Sequence, residues 1–280
     1  MDELQERLCF DVSLSLTKSA GTVVRYAFDN ADASVVLTKS NSVDLVTETD
    51  RQVEKLLFDG LRQQFPGHKF IGEETASQGE GARLSWTDDP TWIIDPIDGT
   101  TNFVHKLPHV AISVALTVNK QARIGIIYNP ILNVMYTARR GHGAYKNGVP
   151  MKTAPTDDLC NAVISTAVGN VREPAVLSAY QSNFQRFLEH RMRGHRSLGS
   201  AACHMAYVAE GVLDAFLEYG IHCWDIAAGT LIATEAGGHV CDPTGSELDL
   251  MRRRVLCTGS AALAAQMSPL LTHTDFPSEA

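Results

Sequence analysis

The stretch "TWIIDPIDGTTNF", residues 91–103, sets two aspartates three positions apart, after an apolar run and before Gly-Thr-Thr. Trp92-Ile93-Ile94 predicts a buried strand that ends at Asp95, Pro96 a turn, and Gly99-Thr100 the start of a helix. One carboxylate is enough to cap that helix, and Asp98 stands where a cap would. Two carboxylates on one turn repel each other, which costs free energy unless a cation lies between them. The N–H groups that open the helix offer a place for an anion. Residues 91–103 therefore predict either a capped turn or a point where metal and phosphate meet.

A hard divalent cation takes several oxygen ligands, so further carboxylates should stand at other element ends. Two stretches supply them: "IGEET", 71–75, with Glu73 and Glu74 after a short strand, and "HCWDIAAG", 222–229, with Asp225 at a helix start. Taken singly, each reads as a solvated loop charge or a helix cap. Taken together, three acidic ends flanked by Phe70-Ile71, Trp92-Ile93-Ile94, Trp224 and Ile226 predict half-buried carboxylates.

Around these stretches the chain reads as mixed α and β. Helical spacing runs from Leu4 to Ala27, as one long helix or two consecutive ones, and again over 48–64, where Pro66-Gly67 stops it. Residues 34–40 are strand-like. Residues 109–119 and 123–140 predict strands, the second broken at Asn129-Pro130, and Asn147-Gly148 predicts a hairpin. After residue 150 the order becomes strand (161–168), helix (173–189), short strand (191–197), helix (200–211), strand (213–220), helix (224–238), strand and final helix. The polar stretch 76–90 is the only extended loop, placed to act as a lid or a metal-dependent flap.

Composition limits the function. With 280 residues, 44% hydrophobic and 20% charged, the chain suits one large domain or two coupled halves. A formal net charge of -8 argues against a nucleic-acid or anionic-membrane surface and suits a protein that concentrates cations. The acidic opening MDELQERLCF lacks the features of a signal peptide, and no apolar run approaches the roughly 20 residues of a membrane span, so a soluble, cytoplasmic protein is expected. Six scattered cysteines without a C-x-x-C pair predict reduced, mostly buried thiols. The ten histidines are read as core or surface residues.

Three ordered motifs, "GEE" (72–74), "WIIDPIDGTTNFVH" (92–105) and "HCWDIAAGTLIATEAGG" (222–238), make the sequence resemble the inositol monophosphatase family over nearly its whole length. The resemblance implies a mixed α/β (α+β) fold, a layered α-β-α-β-α sandwich. It implies two coupled halves, 1–150 with the metal-binding motifs and 151–280 with a substrate-facing segment and Asp225, the site lying between them. It implies magnesium-dependent hydrolysis of myo-inositol monophosphates, a homodimer and lithium sensitivity. Carried over by position, Glu73, Asp95 and the Ile97 carbonyl hold one magnesium, Asp95, Asp98 and Asp225 a second, and a third leans on Glu73 and water. Thr100, hydrogen-bonded to Asp50, orients and helps deprotonate the attacking water. The Gly99 and Thr100 N–H groups meet the phosphate. Gly199, Ser200 and Ala201 lie against the sugar ring, Glu218 accepts from its hydroxyls, and Lys39 stands near the metals. One departure stands out: animal members often carry Gly-Ser-Ser-Arg where this chain has Gly169-Asn170-Val171-Arg172, with fewer hydroxyls to select inositol. Related sugar-phosphate or nucleotide phosphatases are the nearest rivals, and a cation-binding scaffold that has lost turnover is the non-enzymatic one. The aspartyl-phosphate phosphatases space their two aspartates one residue closer.

Overall fold

The computed structural model describes residues 1–30, 36–38, 45–77, 84–169 and 171–280, with the backbone alone for 36–38 and 45–47. Helix α1 (Glu3–Asn30) is single and uninterrupted. A two-stranded ribbon, β1 (Val36–Thr38) and β2 (Leu45–Thr47), leads into α2 (Glu48–Gln64). A seven-stranded sheet follows in chain order: β3 (Lys69–Gly72), β4 (Thr91–Asp98), β5 (Ala111–Val118), β6 (Gln121–Asn129), β7 (Val134–Arg139), β8 (Ala144–Lys146) and β9 (Val149–Met151). β3 runs parallel to β4, and every later pair is antiparallel, the meander that turn-separated apolar runs predict. Asn147 and Gly148 turn the β8–β9 hairpin with φ of 51° and 79°, the left-handed pair a tight two-residue turn requires. Two short helices hang on this sheet, α3 (Glu73–Ser77) after β3 and α4 (Thr100–Val104) after β4.

The second half alternates helix and strand: β10 (Val163–Ala167), α5 (Pro174–Glu189), β11 (Gly194–Arg196), α6 (Ala201–Glu210), β12 (Ala215–Tyr219), α7 (Cys223–Glu235), β13 (His239–Cys241), β14 (Arg254–Thr258) and α8 (Ala261–Met267). Its sheet has the order β11-β10-β12-β14-β13. The single strand expected between α7 and the last helix is thus two, separated by a turn around Asp242–Ser246.

Period-two alternation stacks these elements. Trp92 and Ile94 of β4 pack with Val53, Leu57 and Leu61 of α2 and Val24 of α1, whereas Ile93 joins Ala227 and Leu231 of α7 and Met205 of α6 on the opposite face. Phe216, Val255 and Cys257 close that same layer from the five-stranded sheet, whose other face buries Leu217, Leu256, Phe187 of α5 and Leu263 of α8. The order is helix, sheet, helix, sheet, helix, the layered sandwich the motifs imply. No described helix is long and apolar enough to cross a membrane. All six cysteines are free thiols, and only Cys160 is exposed.

Candidate active site

The opening stretch folds differently from a strand that stops at Asp95. β4 continues through Pro96 to Asp98, and its pairing with β5 slips by one residue, from Asp95 opposite Ser113 to Asp98 opposite Ala111. Side chains three apart on a regular strand point to opposite faces. The extra residue of this bulge turns Asp98 back to the face of Asp95, and a bulge is also where a strand tolerates proline. Ile97 meanwhile enters the α1–α2 core. The bulge is thus what makes "DPID" deliver two carboxylates to one place.

Asp225 comes from the neighbouring layer. It sits on the first turn of α7, where its Oδ2 accepts the His222 N–H at 2.8 Å, so it caps the helix and also faces the aspartates of β4. One carboxylate oxygen from each of Asp95, Asp98 and Asp225 lies within 4.8 Å of the others. Asp98 does not cap α4: its N-cap is Gly99, at φ 90°, with no side-chain bond. The Asp98 carboxylate instead accepts the Ser200 hydroxyl at 2.5 Å and the Ala202 N–H at 2.7 Å, together with the Ala201 N–H, at the start of α6. Ser200 is the N-cap of α6, accepting from Cys203 N–H at 3.2 Å.

Electrostatics follows from the crowding. Burial, and then the charges of Glu73, Asp98 and Asp225, hold the Asp95 carboxyl well above the usual carboxylate range. Asp225 is raised by burial and by Asp98 and Glu73. Asp98 is pushed up to about 6 by burial, against its three hydrogen bonds. A side-chain hydrogen bond to Asp225 raises Asp95 further and opposes the rise at Asp225. Among the described residues no lysine or arginine pairs with any of the three. A crowded, all-oxygen donor set of this kind fits a hard divalent cation, which relieves the repulsion that protons otherwise relieve.

The other expected residues fall around this centre. Glu73 opens α3, directly after the residue that stands opposite Ile94 in the β3–β4 register, and so lies beside Asp95. The Ile97 N–H donates to Asp95 Oδ1 at 2.9 Å, and the Ile97 carbonyl accepts the Thr100 hydroxyl at 3.2 Å. Asp50 is buried on the first turn of α2. Glu218 lies one residue from the end of β12, 7% exposed, on the face of Phe216 that looks into the α6–α7 layer. Burial and the charges of Asp225 and Asp98 raise it well above the usual range. Gly99 and Gly199 meet closely: a Cβ on Gly99 would come within 3.1 Å of the Gly199 carbonyl oxygen, and one on Gly199 would crowd Asn102. Lys39, Asn170 and residues 78–83 of the expected lid lie outside the described residues. His105 and His109 stand four apart, but α4 ends at Val104 and His109 Nδ1 pairs with Tyr207, so they form no helical metal pair.

Three supporting residues escape the sequence reading. Asn102 Nδ2 donates to the carbonyls of His109 at 2.7 Å and Leu198 at 2.6 Å, tying α4 to the segment before α6. Glu279 reaches back to His222 Nδ1 at 2.5 Å and Cys223 N–H at 3.1 Å, at the start of α7. Glu54 is a buried carboxylate on the apolar stripe of α2, alongside Leu57 and Leu61. A charge on a buried stripe is the one signal the sequence offered for it.

A sequence model of the Inositol monophosphatase family matches residues 3–273. Inositol monophosphatase 1 of Homo sapiens and that of Sus scrofa are each 44% identical to the chain over 260 residues, covering 93% of this chain and 92% of the relative. The crystal structure of extragenic suppressor protein suhB from Bartonella henselae superposes with a TM-score of 0.83 at 30% identity, covering 94% of this chain and 97% of that one.

Proposed function

The chain belongs to the inositol monophosphatase family, and on that premise we propose that it hydrolyses myo-inositol monophosphates to myo-inositol and phosphate, with magnesium held at Asp95, Asp98 and Asp225. The observation that carries the reading is the convergence of those three carboxylates, without a basic partner among the described residues. Glu73, Asp95 and the Ile97 carbonyl would hold one magnesium, Asp95, Asp98 and Asp225 would hold a second, and Glu73 would serve a third. Magnesium supplies positive charge for the phosphoryl oxygens and for the departing alkoxide.

The chain's own groups position the reactants. Thr100 and Asp50 orient the attacking water and help remove its proton. The N–H groups of Gly99 and Thr100 face the phosphate, at a place where glycine lets the backbone come close. Glu218 accepts from the ring hydroxyls beside Gly199, Ser200 and Ala201. Water attacks phosphorus directly, and no carboxylate forms a phosphoenzyme.

The site draws on residues 1–150 through Glu73, Asp95 and Asp98 and on 151–280 through Asp225 and Glu218, two halves of one unit. The family's pattern extends the proposal to a homodimer, to lithium sensitivity and to the cytoplasm. Phosphate release from inositol 1-phosphate, galactose 1-phosphate, 2'-AMP and fructose 1,6-bisphosphate, each with magnesium and with lithium added, tests the reading. Inositol 1-phosphate should turn over fastest. A faster sugar phosphate or nucleotide would move the chain to a sibling specificity, and no release from any of the four would leave a cation-binding scaffold.

A further inference from the structure

We propose that Glu54 is a positioning residue that aims Glu73 at the carboxylate cluster by capping α3 from α2. The inference rests on the reading of Glu73 as a metal ligand.

α3 has five residues, too few to hold a helical turn by its own hydrogen bonds. Its first N–H groups lack intrahelical partners, and no side chain from the preceding strand supplies them. Glu54 does. Its Oε2 accepts the Glu74 N–H at 2.8 Å, while Oε1 accepts the Thr75 N–H at 2.9 Å and the Thr75 hydroxyl as well. Glu54 is only 4% exposed and its bond to the Glu74 N–H is buried, where losing it costs most. The backbone is cut to fit: a Cβ on Gly72 would overlap the Glu54 carboxylate and the Phe58 ring.

The consequence for Glu73 is directional. The β3–β4 register carries the chain to the side of Asp95, but the direction of the next side chain depends on whether the backbone turns into a helix at residue 73 or runs on extended. Glu54 holds the two N–H groups that follow Glu73, and so fixes the turn. The charge of Glu73 in turn acts on Asp95, Asp98, Asp225 and Glu54 itself, which places it between the cap and the cluster.

The test compares the magnesium concentration giving half-maximal phosphate release in Glu54→Gln, Thr75→Val, Glu73→Gln and the Glu54→Gln/Glu73→Gln double variant, with metal-free melting recorded for each. Glu54→Gln should raise that concentration about 10- to 100-fold, the usual cost of losing a group that orients a metal ligand. Thr75→Val removes one bond of three from an exposed residue and should raise it severalfold with the fold intact. In the Glu73→Gln background, adding Glu54→Gln should change it by less than about twofold, because the residue through which Glu54 acts is gone. Equal cost in both backgrounds, or no change in Glu54→Gln and Thr75→Val while Glu73→Gln is impaired, overturns the role of Glu54 alone. A Glu73→Gln enzyme with the parent's magnesium requirement overturns the metal-site reading and this proposal together.

Discussion

Two groups of potential metal ligands occur among the described residues, and they have opposite electrostatic fates. Glu3, Glu6 and His142 meet where the start of α1 approaches the turn between β7 and β8, beside an open groove of about 920 Å³. There the fold supplies its own cations: Glu6 pairs with Arg123 at 2.7 Å and with Arg139 at 3.3 Å, and Glu3 also bonds Arg139. The Arg139 guanidinium holds the Glu3 carboxyl below its ordinary range. In the Asp95, Asp98 and Asp225 group the carboxyls are raised, by burial and by neighbouring carboxylates, Glu73 among them. Proximity of acids is common to both. What separates a structural cluster from a site awaiting a cation is whether arginines are folded into it.

The sharpest way to break this contrast is to remove one carboxylate from each group. Asp95→Asn should lower phosphate release more than about a hundredfold, beyond the range for residues that only orient ligands, because it would weaken both proposed magnesium positions. Glu3→Gln should leave turnover within about twofold, as exposed pairs contribute little. A comparable loss in both would erase the distinction.

Stability should divide the other way. Glu6→Gln removes a buried charge that two arginines face, and should cost about 3 kcal/mol in denaturant unfolding while leaving the stabilisation by magnesium unchanged. Asp98→Asn removes a repelling charge but also part of the acceptor for the α6 N–H groups, so its metal-free melting should change little, with a smaller gain from magnesium.

The pH dependence sharpens the contrast further. Raised carboxyl pKa values mean that the folded, metal-free protein holds protons the unfolded chain releases. This group's contribution to stability is therefore fully present below about pH 4, the unfolded aspartate value, and is lost as pH climbs through the folded values, Asp98's being about 6. Glu3, held low, contributes with the opposite slope, present above the unfolded value and lost in acid. Denaturant unfolding between pH 4 and 8, with and without magnesium, should show a metal-free decline that magnesium flattens, and Asp95→Asn should weaken the decline.

The smallest effect concerns selectivity. Glu218→Gln should raise KM for inositol monophosphates severalfold and leave glycerol 2-phosphate nearly unchanged, since only a ring presents the hydroxyls it would accept from. Equal losses would make Glu218 structural.

The contrast also explains what was legible in the sequence. Apolar periodicity and turn residues located nearly every element, and burial at strand and helix ends marked Glu73, Asp95, Asp98 and Asp225 as a set. The β4 bulge was not legible, because a one-residue slip depends on how β5 pairs with β4, and Asp95-Pro96 reads locally as a strand end followed by a turn. Nor was the use of Asp98 on the start of α6, a contact between residues about a hundred positions apart. One of the two strands after α7 was lost because β13 has three residues and no room for a pattern. Glu54 left a trace as a charge on an apolar stripe, whereas Glu279 left none.

The most direct test of the central claim is the melting temperature of the parent protein as magnesium is titrated, with proton release followed in the same solutions. Binding to the folded state alone should add about 2.7 kcal/mol at roughly one hundred times the dissociation constant, with protons released, and Asp95→Asn should lose most of both. A melting temperature indifferent to magnesium up to tens of millimolar, with no protons released, would mean that Asp95, Asp98 and Asp225 do not form one metal site.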